Sequence, residues 1–384
     1  MNKSILIISP DESGHGGSAI NAEKIYNLLI ENNYNTALLF INSEKEKKFL
    51  NFYFKITKLF KPKSSNKNYY TNNNSKNALI FYLNSTLLYI INFIELFLRK
   101  KNISKMIINK LSCDPDIVLS KNYKGVLFSK VVFPRAKIIF FCSGSSLGRY
   151  MSNCNLSFNK IKNNKIKITK DYYEYYAINK CNIISYNSEL LRDFIEYCYN
   201  LDKFNTIIDT SNLEINSLNK QNDSKTYDLI FVCSDFLRKD KNTDLVYKIF
   251  TDKRLKSLNK VLIGNNIKNI NIPNTKILNS VSRNETLKYI NKSKLLICTS
   301  FFDANPNVIK ECFKLNTNFL ISKNCGNFNY YPSKNVMSDI YDKESWVNRI
   351  ILILEDKNKP DLKIINENDC KQEILNIIHS TSEY

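Results

Sequence analysis

The sequence predicts an α/β protein built from two Rossmann-like domains that face each other across a cleft. Three observations carry this reading. Short apolar runs of strand length alternate with segments whose apolar residues recur at helical spacing, the pattern of βαβ units. The alternation occurs twice, once in the first 200 residues and again from Tyr227, with a polar stretch over 203–225 between the two sets. The chain of 384 residues exceeds one typical core and suits two domains.

Ser4-Ile5-Leu6-Ile7-Ile8-Ser9-Pro10 reads as a first buried strand; it is too short for a secretory signal core and lacks a cleavage site. The loop from Asp11 to Ser18 follows, then a helix with Ala19, Ala22, Ile25, Leu28 and Leu29 on one face, then a strand over Thr36–Ile41. Residues 45–76 are rich in Lys and Asn and read as an insertion. The apolar stretch Ala78–Leu98 is broken by Asn84, Asn92 and Glu95 and ends at Arg99-Lys100-Lys101. Its length admits a transmembrane helix, but the acid and the asparagines favour an amphipathic helix, packed on the core or lying on a membrane. Strands follow at Ile117–Ser120 and Lys137–Cys142, the second running into Ser143-Gly144-Ser145-Ser146. A helix over Tyr172–Ile178, a strand-like Cys181–Ser188 and a helix over Glu189–Tyr197 complete the first set, and 203–225 is the expected hinge. The second set has strands at Tyr227–Val232, Lys260–Gly264, Lys294–Thr299 and Asn318–Ser322, a helix over Thr243–Phe250, and a last apolar-periodic helix over Gln372–Ile378. Open α/β sheets bind ligands beyond the carboxyl ends of their strands, so the cleft is the expected site.

The ten cysteines are scattered with no CxxC pair, and His15 and His379 are the two histidines, which leaves a zinc site few ligands. This pattern reads as reduced thiols in a cytoplasmic protein that holds no metal and no cofactor. The net charge is +20, and residues 1–200 carry most of it, with 29 Lys/Arg against 14 Asp/Glu. Two explanations stand side by side: an A+T-rich coding sequence that favours Lys, Asn and Ile, or a basic face turned toward anionic lipid, a phosphorylated acceptor or nucleic acid.

The segment Ser300–Cys312 carries the clearest chemical signal. A strand ends, a short loop passes Asp303, and a helix opens near Pro306, where a missing N–H costs nothing. The unpaired N–H groups at such an end can hold a diphosphate, and Glu311 sits about one and a half turns into the helix. The plain alternative is a helix N-terminus with an acid favourably near its dipole. This segment resembles the acid-x7-acid motif of the retaining GT-B glycosyltransferases, the family 4-type group, with Asp303 one methylene shorter than the usual glutamate. The resemblance implies that Asp303 meets the donor sugar, that Glu311 meets the nucleotide ribose, and that the Asn305-Pro306-Asn307 backbone holds the diphosphate.

Ser234-Asp235-Phe236-Leu237-Arg238-Lys239 resembles the family's diphosphate-clamping loop, which pairs an arginine with a lysine; here that is Arg238 with Lys239 or Lys241. A guanidinium and an ammonium can neutralise a leaving diphosphate without a metal, and no DxD-type acid pair stands at a strand end. Gly14-His15-Gly16-Gly17-Ser18 is similar to the family's N-terminal glycine loop, so Gly16 and Gly17 are expected near sugar and phosphates; no Gly-Lys-Ser/Thr follows, so it is no P-loop. The histidine that many members carry after the Lys137–Cys142 strand is absent, and either Ser143 or the Gly144 backbone takes its place or the loop serves the acceptor. Asn324-Cys325-Gly326-Asn327 resembles the glycine turn beneath the donor.

The resemblance thus implies a GT-B fold with an acceptor domain over 1–205, a nucleotide-sugar donor domain over 206–365, and a terminal helix over 366–384 that crosses back to the first. It implies metal-independent transfer of a sugar from a nucleotide-diphosphate sugar, with retention, to a glycan or lipid-linked glycan in surface polysaccharide synthesis. The enzyme would be cytoplasmic or peripheral on the inner face of the cell membrane. Two rivals remain. A nucleotide-sugar epimerase on the same fold would want ionisable bases, and histidine is scarce; a basic nucleic-acid-binding protein would want a recognition motif, and no RNA-binding motif appears.

Overall fold

Two six-stranded, all-parallel sheets organise the chain, as the repeated alternation predicts. The computed structural model describes residues 3–9, 16–40, 74–163, 171–201, 205–210, 224–268, 271–279, 281–356 and 367–381. The glycine loop through His15, most of the expected insertion and residues 211–223 of the expected hinge lie outside them. The chain divides into one unit of Met1–Leu147, Lys167–Glu214 and Asn366–Tyr384, and another of Gly148–Ile166 and Ile215–Ile365.

The elements of the first half are β1 (Ser4–Ser9), α1 (Gly16–Glu31), β2 (Asn35–Phe40), α2 (Asn74–Leu111), β3 (Ile117–Ser120), α3 (Tyr123–Val132), β4 (Lys137–Cys142), α4 (Ser146–Asn153), α5 (Phe158–Asn163), α6 (Tyr172–Lys180), β5 (Ile183–Tyr186), α7 (Glu189–Tyr199) and β6 (Asn205–Ile207). The strand order is β2-β1-β3-β4-β5-β6. Parallel strands covered on both faces read as continuous apolar runs. Here Ile5, Ile7 and Leu119 pack on one face against Ala22, Ile25 and Leu29 of α1, while Leu6, Ile8 and Val118 pack on the other against Leu127 and Phe128 of α3 and Ile107 and Leu111 of α2. Two sequence expectations change. The helix expected to stop at Arg99-Lys100-Lys101 runs on to Leu111, because Ile103, Ile107 and Leu111 renew the apolar spacing, with Ile107 and Leu111 buried and Ile103 partly so, while Lys101 and Lys105 stay outside. The hinge stretch contributes β6 at its start, paired in parallel with β5. No helix among the described residues is long and apolar enough to cross a membrane.

The second half contains β7 (Tyr227–Asp235), α8 (Thr243–Phe250), β8 (Lys260–Asn265), β9 (Thr275–Leu278), α9 (Arg283–Asn291), β10 (Ser293–Cys298), α10 (Asn307–Lys314), β11 (Asn318–Ser322), β12 (Val336–Met337), α11 (Lys343–Glu355) and α12 (Glu367–Ser380). Read from one edge the sheet runs β9-β8-β7-β10-β11-β12, the doubly wound order whose winding reverses between β7 and β10. Its core gathers Phe231, Leu262, Leu295 and Ile297 with Trp346, whose indole N–H donates to the Asp339 carbonyl at 2.8 Å. The last helix, α12, returns to the first unit, where Cys370, Ile374 and Ile378 join the core of β1 and α1.

Asparagine does in this chain what glycine does in many. Among the described residues, eight of the nine non-glycine residues at positive φ are asparagines, among them Asn200 at the end of α7 and Asn242 at the start of α8. One position admits no such exchange. Gly264 sits at φ +152°, and a Cβ there would lie 2.1 Å from the Cys233 carbonyl oxygen. We therefore expect Gly264→Ala to cost more than about 3 kcal/mol through combined clash and strain. Thermal denaturation measures it; a melting temperature within a degree or so of wild type contradicts this packing.

Candidate functional site

The winding reversal between β7 and β10 opens a crevice at the carboxyl ends of those strands, and three successive loops line that edge. The loop after β7 makes one 3₁₀ turn over Lys239–Lys241 and is closed by Asn242 in the left-handed region. Asn242 anchors it by donating to the Ile340 carbonyl at 3.0 Å, and Thr243 by donating to the Phe236 carbonyl at 2.9 Å. The loop after β10 is bonded to it: the Phe301 N–H donates to the Asp240 carbonyl and the Thr299 hydroxyl to the Lys241 carbonyl, each at 2.8 Å. The turn after β11 joins in turn, with the Asp303 N–H on the Asn324 carbonyl at 3.1 Å and the Gly326 N–H on the Asp303 carbonyl at 2.7 Å. Together these bonds tie the three loops to one another around Lys241 and Asp303.

The side chains pair oppositely charged groups across these loops. The Lys241 ammonium donates to Asp303 Oδ2, and both side chains are largely buried, at 19 % and 15 % exposure. Burial works against the charged lysine, yet Asp303 beside it holds its pKa above the ordinary lysine value. Asp303 Oδ1 accepts from the Asn305 N–H at 3.2 Å, and the Asn305 side chain accepts from Asn327 at 3.1 Å. Arg238 grips Asp240 with a fork, Nε to Oδ1 at 3.2 Å and Nη2 to Oδ2 at 2.6 Å. Burial opposes the charge of Arg238 too, and the bond to Asp240 raises its pKa. Arg238, Lys241, Asp303 and Asn305 are thus brought together. Of the two lysines offered as partner to Arg238, Lys241 turns inward, while Lys239 is exposed on the 3₁₀ turn.

Pro306 stands at the N-cap of α10 with extended backbone, one position ahead of the first-turn place expected for it, and no side chain caps that helix. Its first residue, Asn307, is exposed. An uncapped helix N-terminus presents N–H groups that suit an anion. Glu311, in the second turn, has a separate partner: Arg283 of α9 reaches its Oε1 at 3.4 Å. Burial pushes the Glu311 carboxyl up, against the pull of Arg283 and Lys314. In the first unit, Gly16 and Gly17 form the first turn of α1, and Ser143 and Gly144 follow β4, with the Ser143 carbonyl accepting from Asn187 at 3.3 Å. A Cβ at Gly144 would meet nothing within 4 Å.

Sequence reasoning missed the group that holds this last loop. Glu174 of α6 is fully buried, and among the described residues its hydrogen-bond partners are hydroxyls and a backbone N–H. Its Oε2 accepts from the Ser145 hydroxyl (3.0 Å), the Leu147 N–H (3.2 Å) and the Tyr199 hydroxyl (2.8 Å). Its Oε1 lies 2.5 Å from the Tyr123 hydroxyl, which is also 2.7 Å from the Gly144 carbonyl and accepts from the Ser146 N–H at 3.2 Å. The one tyrosine proton cannot serve both acceptors. When Glu174 is protonated it can supply its own proton to the tyrosine oxygen and leave the tyrosine proton to the carbonyl, which can only accept; when it is ionised, Tyr123 donates to it. Burial, with Asp171 nearby, accordingly raises Glu174 from the ordinary 4.5 to about 7, against the hydrogen bonds from Tyr123, Tyr199 and Leu147. The one sequence hint is Asp171, whose side chain caps α6 by accepting from the Glu174 N–H. The folded protein keeps this proton after the unfolded chain has lost it, so stability falls as pH rises from 4.5 toward 7. Glu174→Gln keeps the donor to Tyr123 and cannot ionise. Its melting temperature should match wild type at about pH 5 and exceed it at about pH 8, by the equivalent of at most about 3 kcal/mol. Parallel pH curves for the two proteins rule out the protonated assignment.

Comparison with known proteins agrees with this fold. Residues 214–369 match the family described as Glycosyl transferases group 1. A search of curated proteins finds no matching sequence. Among solved structures, a sucrose-phosphate synthase from Thermosynechococcus elongatus superposes with a TM-score of 0.65 at 9 % identity, covering 100 % of both chains. A UDP-forming trehalose-phosphate synthase from Burkholderia xenovorans superposes with a TM-score of 0.55 at 12 % identity, covering 98 % of each. The Anabaena protein Alr3699/HepE, in complex with UDP and glucose, superposes with a TM-score of 0.57 at 12 % identity, covering 99 % of this chain and 100 % of that one. The chain has the GT-B fold of these glycosyltransferases over its whole length, and its C-terminal half matches the group 1 family in sequence.

Proposed function

We propose that the chain transfers a sugar from a nucleotide-diphosphate sugar to an acceptor hydroxyl, with retention at the anomeric carbon and without a metal. The observation that carries this reading is the convergence of Arg238, Lys241 and Asp303 beside the uncapped end of α10, at the winding reversal of the second sheet. As the sugar–phosphate C–O bond breaks, negative charge grows on the diphosphate. Arg238, Lys241 and the N–H groups near Asn305, Pro306 and Asn307 stabilise that charge, an electrostatic catalysis that loses little to reorganisation because the loops are already bonded in place. Asp303 orients the ammonium of Lys241 and stands beside the donor sugar; Lys239 adds positive potential from the exposed side of the turn. Glu311 receives the ribose hydroxyls. The second domain, residues 206–365, holds the donor, and the N-terminal domain, 1–205, holds the acceptor, with Gly16, Gly17, Ser143 and Gly144 lining its part. The helix over 366–384 ties the end of the chain to the acceptor domain. The acceptor in this reading is a glycan or lipid-linked glycan of a surface polysaccharide, the class the family resemblance implies, and the reaction takes place in the cytoplasm.

A thermal-shift panel of nucleotide diphosphates and their sugars finds the donor, since a true ligand raises the midpoint by mass action. UDP-sugars come first, because HepE binds UDP and a trehalose-phosphate protein of E. coli binds UDP-2-fluoro glucose. With the cognate donor, Arg238→Ala should lower kcat by on the order of 10²-fold, the loss of one electrostatic donor. Glu311→Ala should raise the donor KM more than it lowers kcat. Asp303→Asn should stay folded, with a lower melting temperature because Lys241 loses its counter-charge, and lose most turnover. Wild-type turnover by folded Arg238→Ala and Asp303→Asn proteins refutes the site. Two further measurements bear on the chemistry. The anomeric configuration of the product, read by NMR, should equal that of the donor. Activity should survive a chelator, and rescue by Mg²⁺ or Mn²⁺ after chelation contradicts metal independence.

A further inference from the structure

We infer that the exposed face of α2 docks on an anionic membrane surface. This inference is independent of the transferase reading. One line of α2 is fastened to the protein: Tyr89 packs its ring against Tyr172, Tyr173 and Tyr176 at centroid distances of 5.2, 6.2 and 4.7 Å, and Ile107 and Leu111 lie in the core. At about 100° per residue, positions 83, 90, 94 and 97 form a second line about a quarter-turn away from the first. Their side chains are Leu83, Ile90, Ile94 and Phe97, exposed by 54, 45, 52 and 63 %. Four large apolar side chains in one line, over about 21 Å of helix, are more than scattered surface hydrophobes.

The same line continues into charge. Four and eight residues beyond Phe97 come Lys101 and Lys105, both exposed. The whole helix carries six basic residues, Lys76, Arg99, Lys100, Lys101, Lys105 and Lys110, against the single acid Glu95. An apolar stripe that runs into lysines matches a surface offering acyl chains beneath anionic headgroups, the arrangement of an interfacial helix that lies in the plane of a bilayer. The helix is not apolar enough to cross the bilayer. A second copy of the chain is the poorer fit. It would bring the same lysines and the same +20 net charge to the contact. The contact is therefore with headgroups through Lys101 and Lys105 and with the upper acyl region through Ile90, Ile94 and Phe97.

Co-sedimentation of the full chain with vesicles tests this, using phosphatidylcholine alone and phosphatidylcholine mixed with phosphatidylglycerol, at low and high salt. Wild type should bind the anionic vesicles at low salt at least about tenfold more tightly than the neutral ones, and high salt should release it. The double variant Lys101→Glu/Lys105→Glu and the double variant Ile94→Ser/Phe97→Ser should each weaken that binding about tenfold or more. All four positions are exposed, and circular dichroism and melting temperature should be unchanged in both variants. No binding of wild type to anionic vesicles at low salt overturns the inference, as does wild-type affinity in both variants. Salt-resistant binding overturns the charge-led mode. Sedimentation velocity gives the remaining outcome: a wild-type dimer that Ile94→Ser/Phe97→Ser converts to monomer assigns the face to a second copy instead. Donor binding measured by thermal shift is unaffected by any of these results, so failure here leaves the transferase reading intact.

Discussion

The ion pair between Lys241 and Asp303 is the contact on which the candidate site depends. An ammonium withdrawn this far from water needs a carboxylate beside it, and the carboxylate needs donors for its other oxygen. The chain meets both demands with the loops of adjacent strands. Lys241 comes from the loop after β7, Asp303 from the loop after β10, and the turn after β11 bonds the Asp303 backbone on both sides. Parallel strands make this economical, because all their carboxyl-end loops emerge on one edge. The pairing also gives each of the two neighbouring cations its own counter-charge: Asp303 answers Lys241, and Asp240 answers Arg238.

Much of the fold was legible for a simple reason. Central parallel strands are buried on both faces, so β1, β3, β4, β8, β10 and β11 appear as unbroken apolar runs whose limits can be read within a residue or two. Edge strands lack that constraint. β9 is Thr275-Lys276-Ile277-Leu278, partly exposed along its length, and β12 has two residues; neither carries a periodic signal. The helix α9 had a readable start, since Ser282 and Glu285 form a full capping box, but its few apolar residues hid it. Within the site, Asp303 and Glu311 stood out by their spacing around a helix start, and Arg238 by the resemblance of its loop to the family's diphosphate clamp. The choice between Lys239 and Lys241 did not, because a 3₁₀ turn decides which of two near neighbours faces inward. Asp240 was invisible as the partner of Arg238, and Glu174 gave no signal beyond the Asp171 cap because its partners come from three other helices and a loop.

The buried acids of the chain follow two different electrostatic regimes. Asp240 and Asp303 sit beside cations, so ionisation is matched by an opposite charge at contact distance. Glu174 sits among hydroxyls and one backbone N–H, with Asp171 adding like charge nearby, and there the proton itself is the cheapest counter-ion. The first regime leaves charge available to act on a ligand. The second removes charge and turns a carboxyl group into a structural cross-link between α3, α6, α7 and the loop after β4.

The asparagines at left-handed positions bear on how such a protein drifts. A backbone site that needs positive φ is usually guarded by glycine, and many family signatures are written in those glycines. Asparagine tolerates the same conformation, and it occupies such positions at Asn33, Asn155, Asn200, Asn242, Asn266, Asn274, Asn316 and Asn327. Each exchange is conformationally near neutral, so nucleotide bias can accumulate there without unfolding anything. Gly264 marks the boundary of that freedom, since its constraint is a neighbouring carbonyl and not φ alone. Exchange between glycine and asparagine is therefore open at those turns and caps and closed at Gly264, where a backbone oxygen and not a dihedral angle alone chooses the residue.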